Sequence, residues 1–275
     1  MGESHQPVVD YELPSKKFRR NATYCLGFAV IFSGVSIALG FDPLKIIYEF
    51  GQIVDLVERM APPNMMIFVQ QRNLFDSIGE TIAMAFLGSL FGGLLAFMLA
   101  FLAASNTTPR PIVAKTTRTL FAIERSIPQL VTMLVFQVAV GIGPFSAALA
   151  LIIGSIGMFG KLFAESIENV DRGPIESLEA IGATGFQRIR YAIIPAAMPS
   201  FISSWFYSFD INLRQAIVLG VYGGGGVGMQ LHLAQKTLNY KNMLALVIFI
   251  IVLIASMERV SDYLRRKMLG SNTLK

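Results

Sequence analysis

The stretch ENVDRGPIESLEAIGATGFQRIRYAIIPAAMP, residues 168–199, decides the fold because it is a polar segment between two apolar runs. Pro174 suits the first position of a helix, where its missing N–H loses no hydrogen bond, and Glu176 then lies where the helix dipole favours an acid. The run GATG at 182–185 interrupts the helical spacing of the apolar residues, and the pattern resumes before two prolines. The stretch therefore predicts two short helices joined by a glycine turn.

Composition places this segment in a membrane protein. The chain has 275 residues, of which 53% are hydrophobic, and its mean hydropathy is +0.57. A membrane-spanning helix needs about 20 mainly apolar residues. The candidates are residues 22–40, 78–104, 127–141, 145–163, 200–222 and 243–257. The sequence therefore predicts an all-α integral membrane protein with about six transmembrane helices.

Charge sets the orientation of these spans. Most of the 23 lysines and arginines lie before the first span, after the second, around 168–199, or at the C-terminus. Basic residues collect in cytoplasmic loops, so both termini are expected inside. The expected division is a cytoplasmic tail at 1–20, a first transmembrane helix at 21–40, an extracytoplasmic amphipathic segment at 41–74, a transmembrane core at 75–264 and a basic tail at 265–275. A cleaved signal peptide within 1–40 is the alternative to a retained first span.

Several other classes of protein are disfavoured. The net charge of +5 is accounted for by the basic loops beside the spans, so no nucleic-acid partner is expected. One cysteine and two distant histidines make a metal site improbable. The glycines at 154–160 lack the spacing of a phosphate-binding loop, so no nucleotide site is expected there. A membrane-embedded hydrolase would need a catalytic set that the spans do not offer.

Polar residues inside the predicted spans are candidates for a substrate pathway. Asp210 and Arg214 stand four residues apart and can meet on one helix face, and each would cost roughly 2.5–3.5 kcal/mol facing lipid. Two interpretations remain open: an ion pair that packs the bundle, or an arginine that attracts an anionic substrate. The third span should extend back into residues 122–126, and Pro128 should kink it. The polar cluster at 124–129 either lines a substrate path or forms the capped cytoplasmic end of a helix. The candidate pathway residues are Arg214, Asp210, Asn212, Gln215, Ser126 and Gln129.

A glycine run at 223–228 ends the fifth span on its external side. Five glycines in six positions cannot hold a regular helix, which allows a sharp reversal or a hinge. A dinucleotide fingerprint is excluded because no strand precedes the run. The sequence predicts an external gate formed by Gly223, Gly224, Gly225, Gly226 and Gly228.

Residues 168–199 resemble the coupling motif of ABC importer permeases, EAA, three residues, G, nine residues, I, any residue, L, P. Glu176, Gly182 and Pro195 match at the motif's spacing, whereas Ser177 and Leu178 replace the alanines, Ile194 replaces the leucine and Ala192 replaces the isoleucine. The resemblance implies that the coupling residues lie within 168–195 and are Glu176, Gly182, Ala183, Thr184, Gly185 and Pro195. An ion channel or secondary carrier would have no use for this motif.

Two further stretches, RSIPQLVTMLVFQVAVGIGPFSAALAL at 125–151 and SFDINLRQAIVLGVYGGGGVG at 208–228, resemble the phosphonate and phosphite branch of type I ABC importer permeases. The resemblance implies a non-enzymatic subunit of the inner membrane that imports a phosphorus oxyanion. The implied partners are a second permease copy, membrane lipid, an extracytoplasmic solute-binding protein and two cytoplasmic ABC ATPases that bind the ATP and Mg, so this chain holds no cofactor. A permease for methionine is the alternative within this class.

Overall fold

The computed structural model describes residues 15–40, 45–70 and 73–269, and every regular element in these ranges is helical. Most of the predicted N-terminal tail, residues 1–14, lies outside the described residues, as do 41–44, 71–72 and the end of the basic tail at 270–275. Contacts divide the chain into two units, residues 1–58 and 59–275.

The first unit contains three helices: α1, Ser15–Ala38, α2, Lys45–Tyr48, and most of α3, Phe50–Met60. Residues 20–38 of α1 are long and apolar enough to cross a membrane. Helix α3 is amphipathic and ends just before Pro62, as the sequence predicts, because proline disfavours a helical residue before it. At helical spacing, one side of α3 carries Phe50, Ile53, Val54, Leu56, Val57 and Met60.

The second unit contains the remaining helices. They are α4, Ile67–Gln70; α5, Asn73–Ala103; α6, Pro111–Ser126; α7, Gln129–Val140; α8, Pro144–Glu168; α9, Arg172–Ala180; α10, Gly185–Arg188; α11, Ile194–Leu219; α12, Gly226–Lys236; and α13, Tyr240–Leu269. A π-helical turn, Ile189–Ile193, joins α10 to α11, and a second, Gly220–Gly224, follows α11.

Six spans follow only when bent helices are counted as spans. Within the described ranges, α1, α5, α8 and α13 are each long and apolar enough to cross a membrane. Helices α6 and α7 form a further pair bent by 83°, and the helix that runs through α11 forms another with α12, bent by 51°. The expectation of about six spans is therefore met by four continuous helices and two bent pairs.

The third predicted span, 127–141, is short by itself, and its expected extension back into residues 122–126 lies in α6, on the other side of a break. Helix α7 has 12 residues, which rise about 18 Å and cannot cross a hydrocarbon core roughly 30 Å thick. Its continuation is α6, on the other side of the break at Ile127 and Pro128. Proline at this position prevents the residue before it from staying helical, which accounts for the break. Glu124 and Arg125 therefore belong to the bent span itself.

Helices α5, α8 and α11 pack closely to form the core. Small residues of α5 permit this approach, since a β-carbon at Gly88 would lie 2.6 Å from the β-carbon of Leu151 on α8. Where the end of α8 meets the start of α11, aromatic rings fill the space between the helices, and the ring centroids of Phe163 and Phe201 are 4.9 Å apart. This rigid centre positions the two ends of the molecule that carry the candidate sites.

Candidate coupling and transport sites

The segment between α8 and α11 folds from local signals. Asp171 caps α9 by accepting a hydrogen bond from the Gly173 N–H, and Pro174 is the third helical residue, where its missing donor still loses no bond. Gly182 follows α9 with φ +79°, a conformation that favours glycine. The Thr184 N–H donates to Gln187 Oε1 at 2.7 Å, and the Gln187 N–H returns a bond to the Thr184 hydroxyl. This capping box starts α10 directly after the turn.

The second predicted short helix does not end before Pro195 and Pro199. Helix α10 passes through the π-helical turn into α11 and continues to Leu219, with Pro195 near the start of α11 and Pro199 inside it. The ring of a proline within a helix would clash with the preceding helical turn. The π turn just before Pro195 is wider than an α-helical turn and makes room for the ring, so the helix can continue. The candidate coupling segment is therefore one short helix, α9, followed by the first turns of a long one.

Apolar side chains are exposed at the tip of this segment. The exposed fractions are 78% for Ile181, 70% for Phe186 and 63% for Tyr191. An ion pair between Arg188 and Glu179 joins the end of α10 to α9 and holds the two helices together. Glu176 is also exposed, on the outer surface of α9. Exposed apolar groups of this size on a rigid tip are typical of a surface that binds another protein.

The base of the segment is tied to the bundle by a polar cluster that the sequence analysis missed. Glu168, the last residue of α8, accepts hydrogen bonds from the Ser105 N–H at 2.7 Å and from the Ser105 hydroxyl, and it pairs with Arg118 of α6. Asn106 Nδ2 donates to the Ile167 carbonyl at 2.8 Å. These partners stand 50 or more residues away in the chain, so the sequence offers no local signal for them.

Arg214 does not pair with Asp210. Its guanidinium forms an ion pair with Glu258 of α13, and Asp210 accepts a hydrogen bond from the Ser261 hydroxyl at 2.9 Å. Helix α13 packs along α11 and provides a partner for each of these charged groups. The four-residue spacing of Asp210 and Arg214 gives no indication of these partners. The two polar contacts join α11 to α13.

Asn212 lies at the centre of the core and does not face an open path. Its side-chain amide donates to the hydroxyls of Ser89 and Ser155, both at 2.8 Å, and the residue is 2% exposed. These bonds join α5, α8 and α11 where no water is available to satisfy the amide. Gln215, also a predicted pathway residue, follows three residues later and is half-buried.

Ser126 and Gln129 flank the break between α6 and α7. The Ser126 hydroxyl donates to the Ile123 carbonyl at 2.7 Å and so caps the end of α6. Gln129 instead lines a cavity of about 330 Å³, here called the break cavity. Charged and polar side chains of three helices share its wall, namely Glu124, Arg125, Lys161, Glu165 and Tyr207. The structure thus brings Gln129 together with groups that the sequence analysis left outside the pathway.

Side chains of the bent span, α6 and α7, pack directly against three glycines of α8. A β-carbon at Gly154 would overlap Gln129, one at Gly157 would overlap a carboxylate oxygen of Glu124, and one at Gly160 would overlap the ring of Phe121. The spacing of three residues places the glycines along one side of the helix. We call Gly154, Gly157 and Gly160 the glycine track. Close helix packing accounts for the glycines at 154–160, which superficially resemble a phosphate-binding loop in the sequence.

The glycine segment at 223–228 is held in place by hydrogen bonds. The Gly226 N–H donates to Glu80 Oε2 at 2.8 Å, and the Val227 N–H donates to the Thr81 hydroxyl at 2.9 Å. On its other side, Gln137 Nε2 donates to the Tyr222 carbonyl at 3.1 Å. Positive φ values occur at Gly223, Gly225 and Gly226, whereas Gly224 and Gly228 are needed for close approach, since a β-carbon on either would overlap neighbouring backbone.

Comparison with known proteins agrees with this architecture. Residues 92–270 match the family described as "Binding-protein-dependent transport system inner membrane component". The chain is 39% identical over 232 residues to the "Phosphate-import permease protein PhnE" of Mycolicibacterium smegmatis, covering 84% of this chain and 43% of that protein. It is 32% identical over 242 residues to the "Phosphite transport system permease protein PtxC" of Stutzerimonas stutzeri, covering 86% of this chain and 87% of the relative.

Two solved structures show the same fold at low identity. One is an inward-facing MetNI methionine ABC transporter, with a TM-score of 0.62, 22% identity and coverage of 70% of this chain and 95% of the other. The second is a bacterial ABC transporter for alginate, with a TM-score of 0.62, 15% identity and coverage of 93% and 100%. The chain spans less than half of the mycobacterial relative. It belongs to the family of binding-protein-dependent transport system inner membrane components, and is a multi-pass inner-membrane protein with the fold of type I ABC importer permeases.

Proposed function

We propose that this chain is the membrane-spanning subunit of an ATP-driven importer that carries a phosphorus oxyanion, such as a phosphonate or phosphite, across the inner membrane. The observation that carries the proposal is the agreement between family membership and relatives that are named for phosphate and phosphite transport over most of this chain. A methionine permease is the second candidate, supported by the likeness to the methionine transporter, which at 22% identity concerns the fold alone.

The ATPase contacts the coupling tip. An exposed apolar surface is formed by Ile181, Phe186 and Tyr191, on a segment held by caps and an ion pair. These apolar side chains would be removed from water when another protein covers them. Glu176, Ala183 and Gly185 lie on the same segment and complete the contact. ATP and Mg belong to that partner, and hydrolysis takes place there. Two ATPase subunits then require two permeases, and a second copy of this chain is the simplest arrangement.

Movement at the tip reaches the substrate path through α11. ATP binding draws the two ATPases together, and each displaces the α10 end of the helix it contacts. Because α10 and α11 are continuous, the displacement is delivered to the face that carries Arg214 and to the external glycine segment beyond it. The glycine segment acts as the external gate, and its bonds to Glu80 and Thr81 must change when the gate opens. A solute-binding protein delivers the substrate on that side.

The substrate class is tested by ATP hydrolysis. The permease is reconstituted with its cognate ATPase and binding protein, and methylphosphonate, phosphite, phosphate and methionine are added in turn. We expect stimulation by one or more phosphorus oxyanions and none by methionine. Stimulation by methionine alone would overturn the substrate class while leaving the importer intact.

A docking control accompanies this experiment. Phe186→Asp places a charge on the apolar tip and should abolish stimulation by every substrate and co-purification of the ATPase. Phe50→Asp, a similar change at an exposed position on α3, should leave the ATPase bound. Retention of the ATPase by Phe186→Asp would contradict the docking surface.

A further inference from the structure

We infer that the break cavity is an anion site on the import path, in which Arg125 binds the phosphorus oxyanion and Lys161 and Tyr207 assist it. The inference rests on the proposed function for the identity of the anion. Neither Arg125 nor Lys161 is among the pathway residues that the sequence indicates, which are Arg214, Asp210, Asn212, Gln215, Ser126 and Gln129.

The charges of the break cavity belong to helices that are candidate membrane spans. Lys161 stands seven residues before the end of α8 at Glu168, which places it about 10 Å along the helix from that end. Its side chain is 53% exposed in the single chain, and that of Glu165 is 52% exposed. Charged groups within the hydrocarbon region cost roughly 2.5–3.5 kcal/mol each unless they meet water or protein. This side of the molecule therefore faces a watery path or the second subunit, and does not face lipid.

Of the two cations that line the break cavity, Arg125 and Lys161, it is Arg125 that has no ion-pair partner among the described residues. In the described part of the chain, Arg118 pairs with Glu168, Arg214 pairs with Glu258, and Lys161 lies 3.6 Å from Glu165. Within the same residues Arg125 makes no ion pair at 4 Å or less. A guanidinium offers five donors in a planar fork that matches two oxygens of a phosphonate or phosphite.

The carboxylates in the wall do not block such an anion. Glu165 lies 3.6 Å from Lys161, which offsets part of its negative charge. Glu124 has one carboxylate oxygen buried against Gly157 of the glycine track, on the α8 side. Arg125 follows Glu124 directly and is exposed, whereas Glu124 is half-buried. The cavity has a volume of about 330 Å³, many times the roughly 30 Å³ that one water occupies, and can hold a small oxyanion with its hydration.

The break cavity continues the face of α11 that carries Arg214. Tyr207 and Arg214 are seven residues apart, so they lie on one side of α11, separated by about 10 Å. Both side chains belong to exposed residues. An anion that passes Arg214 thus meets Tyr207 and then Arg125, one step closer to the end of the bundle that carries the coupling segment. The geometry assigns Arg214 and Arg125 to successive positions on one path.

The test is protection of an introduced cysteine. Met158 lines the break cavity, and the one native cysteine, Cys25, is replaced by serine to give a clean background. The Met158→Cys complex, in nanodiscs and without nucleotide, is treated with a charged thiol reagent while methylphosphonate or methionine is titrated. We expect rapid labelling that methylphosphonate slows and methionine does not. Ile251→Cys, well inside the apolar α13 and 61% exposed in the single chain, is the control and should stay unlabelled.

Arg125→Gln in the same background should shift the protecting concentration of methylphosphonate upward on the order of tenfold, since a charge-assisted hydrogen bond is lost. Arg125→Lys should give an intermediate shift, and Lys161→Gln serves if Arg125→Gln does not fold. An unreactive Met158→Cys, labelling unaffected by methylphosphonate, or protection unchanged in Arg125→Gln would each overturn the site. Equal protection by methionine would overturn its selectivity. The proposed function is judged separately, by stimulation of ATP hydrolysis in the unmodified complex.

Discussion

Gly182 shows how one residue shapes the coupling segment. Its φ of +79° lets the chain turn from α9 into the capping box of α10, and the Ala183 N–H closes the turn on the Leu178 carbonyl at 3.0 Å. Among the described residues nothing lies within 4 Å of a β-carbon built at Gly182. The demand for glycine is therefore one of backbone conformation and not of space.

This distinction gives a prediction at residue 182. Gly182→Val should distort the tip, because a branched side chain at positive φ costs about 1–2 kcal/mol, and substrate-stimulated ATP hydrolysis should fall. Gly182→Asn, which tolerates the left-handed conformation, should retain most of the stimulation. The two variants are compared in the reconstituted importer. Equal activity of the valine and asparagine variants would show that the turn does not set the docking geometry.

At the scale of elements, the glycine track fixes how the bent span lies on α8. Phe121, Glu124 and Gln129 each occupy the space that a side chain on α8 would need. The contacts lie on both sides of the break at Pro128, so α6 and α7 are both seated on one straight helix. The position of Arg125, and with it the break cavity, depends on this seating.

A size swap tests the glycine track. Gly160→Ala should lower the thermal stability of the purified protein, since overpacking a tight contact costs typically 1–3 kcal/mol. Adding Phe121→Leu should restore part of the loss by making room for the new methyl group. Gly79→Ala on α5, where nothing among the described residues lies within 4 Å of the added carbon, is the matched control. A loss that Phe121→Leu does not reduce would argue against direct contact as its cause.

For the whole molecule, orientation remains a prediction from the distribution of basic residues. In a Cys25→Ser background, Ile181→Cys at the coupling tip should react with an impermeant thiol reagent only after cells are permeabilised. Ile142→Cys, in the exposed turn between α7 and α8, should react in intact cells. Labelling in the opposite order would place both termini outside and would remove the coupling tip from reach of any cytoplasmic ATPase.

The parts of this fold that sequence could predict are those with local causes. Apolar runs locate the membrane helices, and the cap and turn residues at 171–187 specify α9 and the start of α10. Partners from distant helices escaped prediction: Glu258 for Arg214, Arg118 for Glu168, and Ser89 with Ser155 for Asn212. An intrahelical spacing of four residues favoured Asp210 for Arg214, and tertiary packing overrode it.

Because α10, the π turn and α11 form one continuous helix, the direction in which each side chain points is set by its position along that helix. From Gly185 to Leu219 the chain climbs about 50 Å without interruption, and each residue advances the helix by about 100°. One residue inserted between Phe186 and Arg214 would rotate Arg214 by about 100° relative to Phe186, whatever the side chain of the inserted residue. Transport should therefore depend on the number of residues between Phe186 and Arg214 as well as on which residues they are. A compensating deletion between the same two positions should restore their relative orientation about the helix axis.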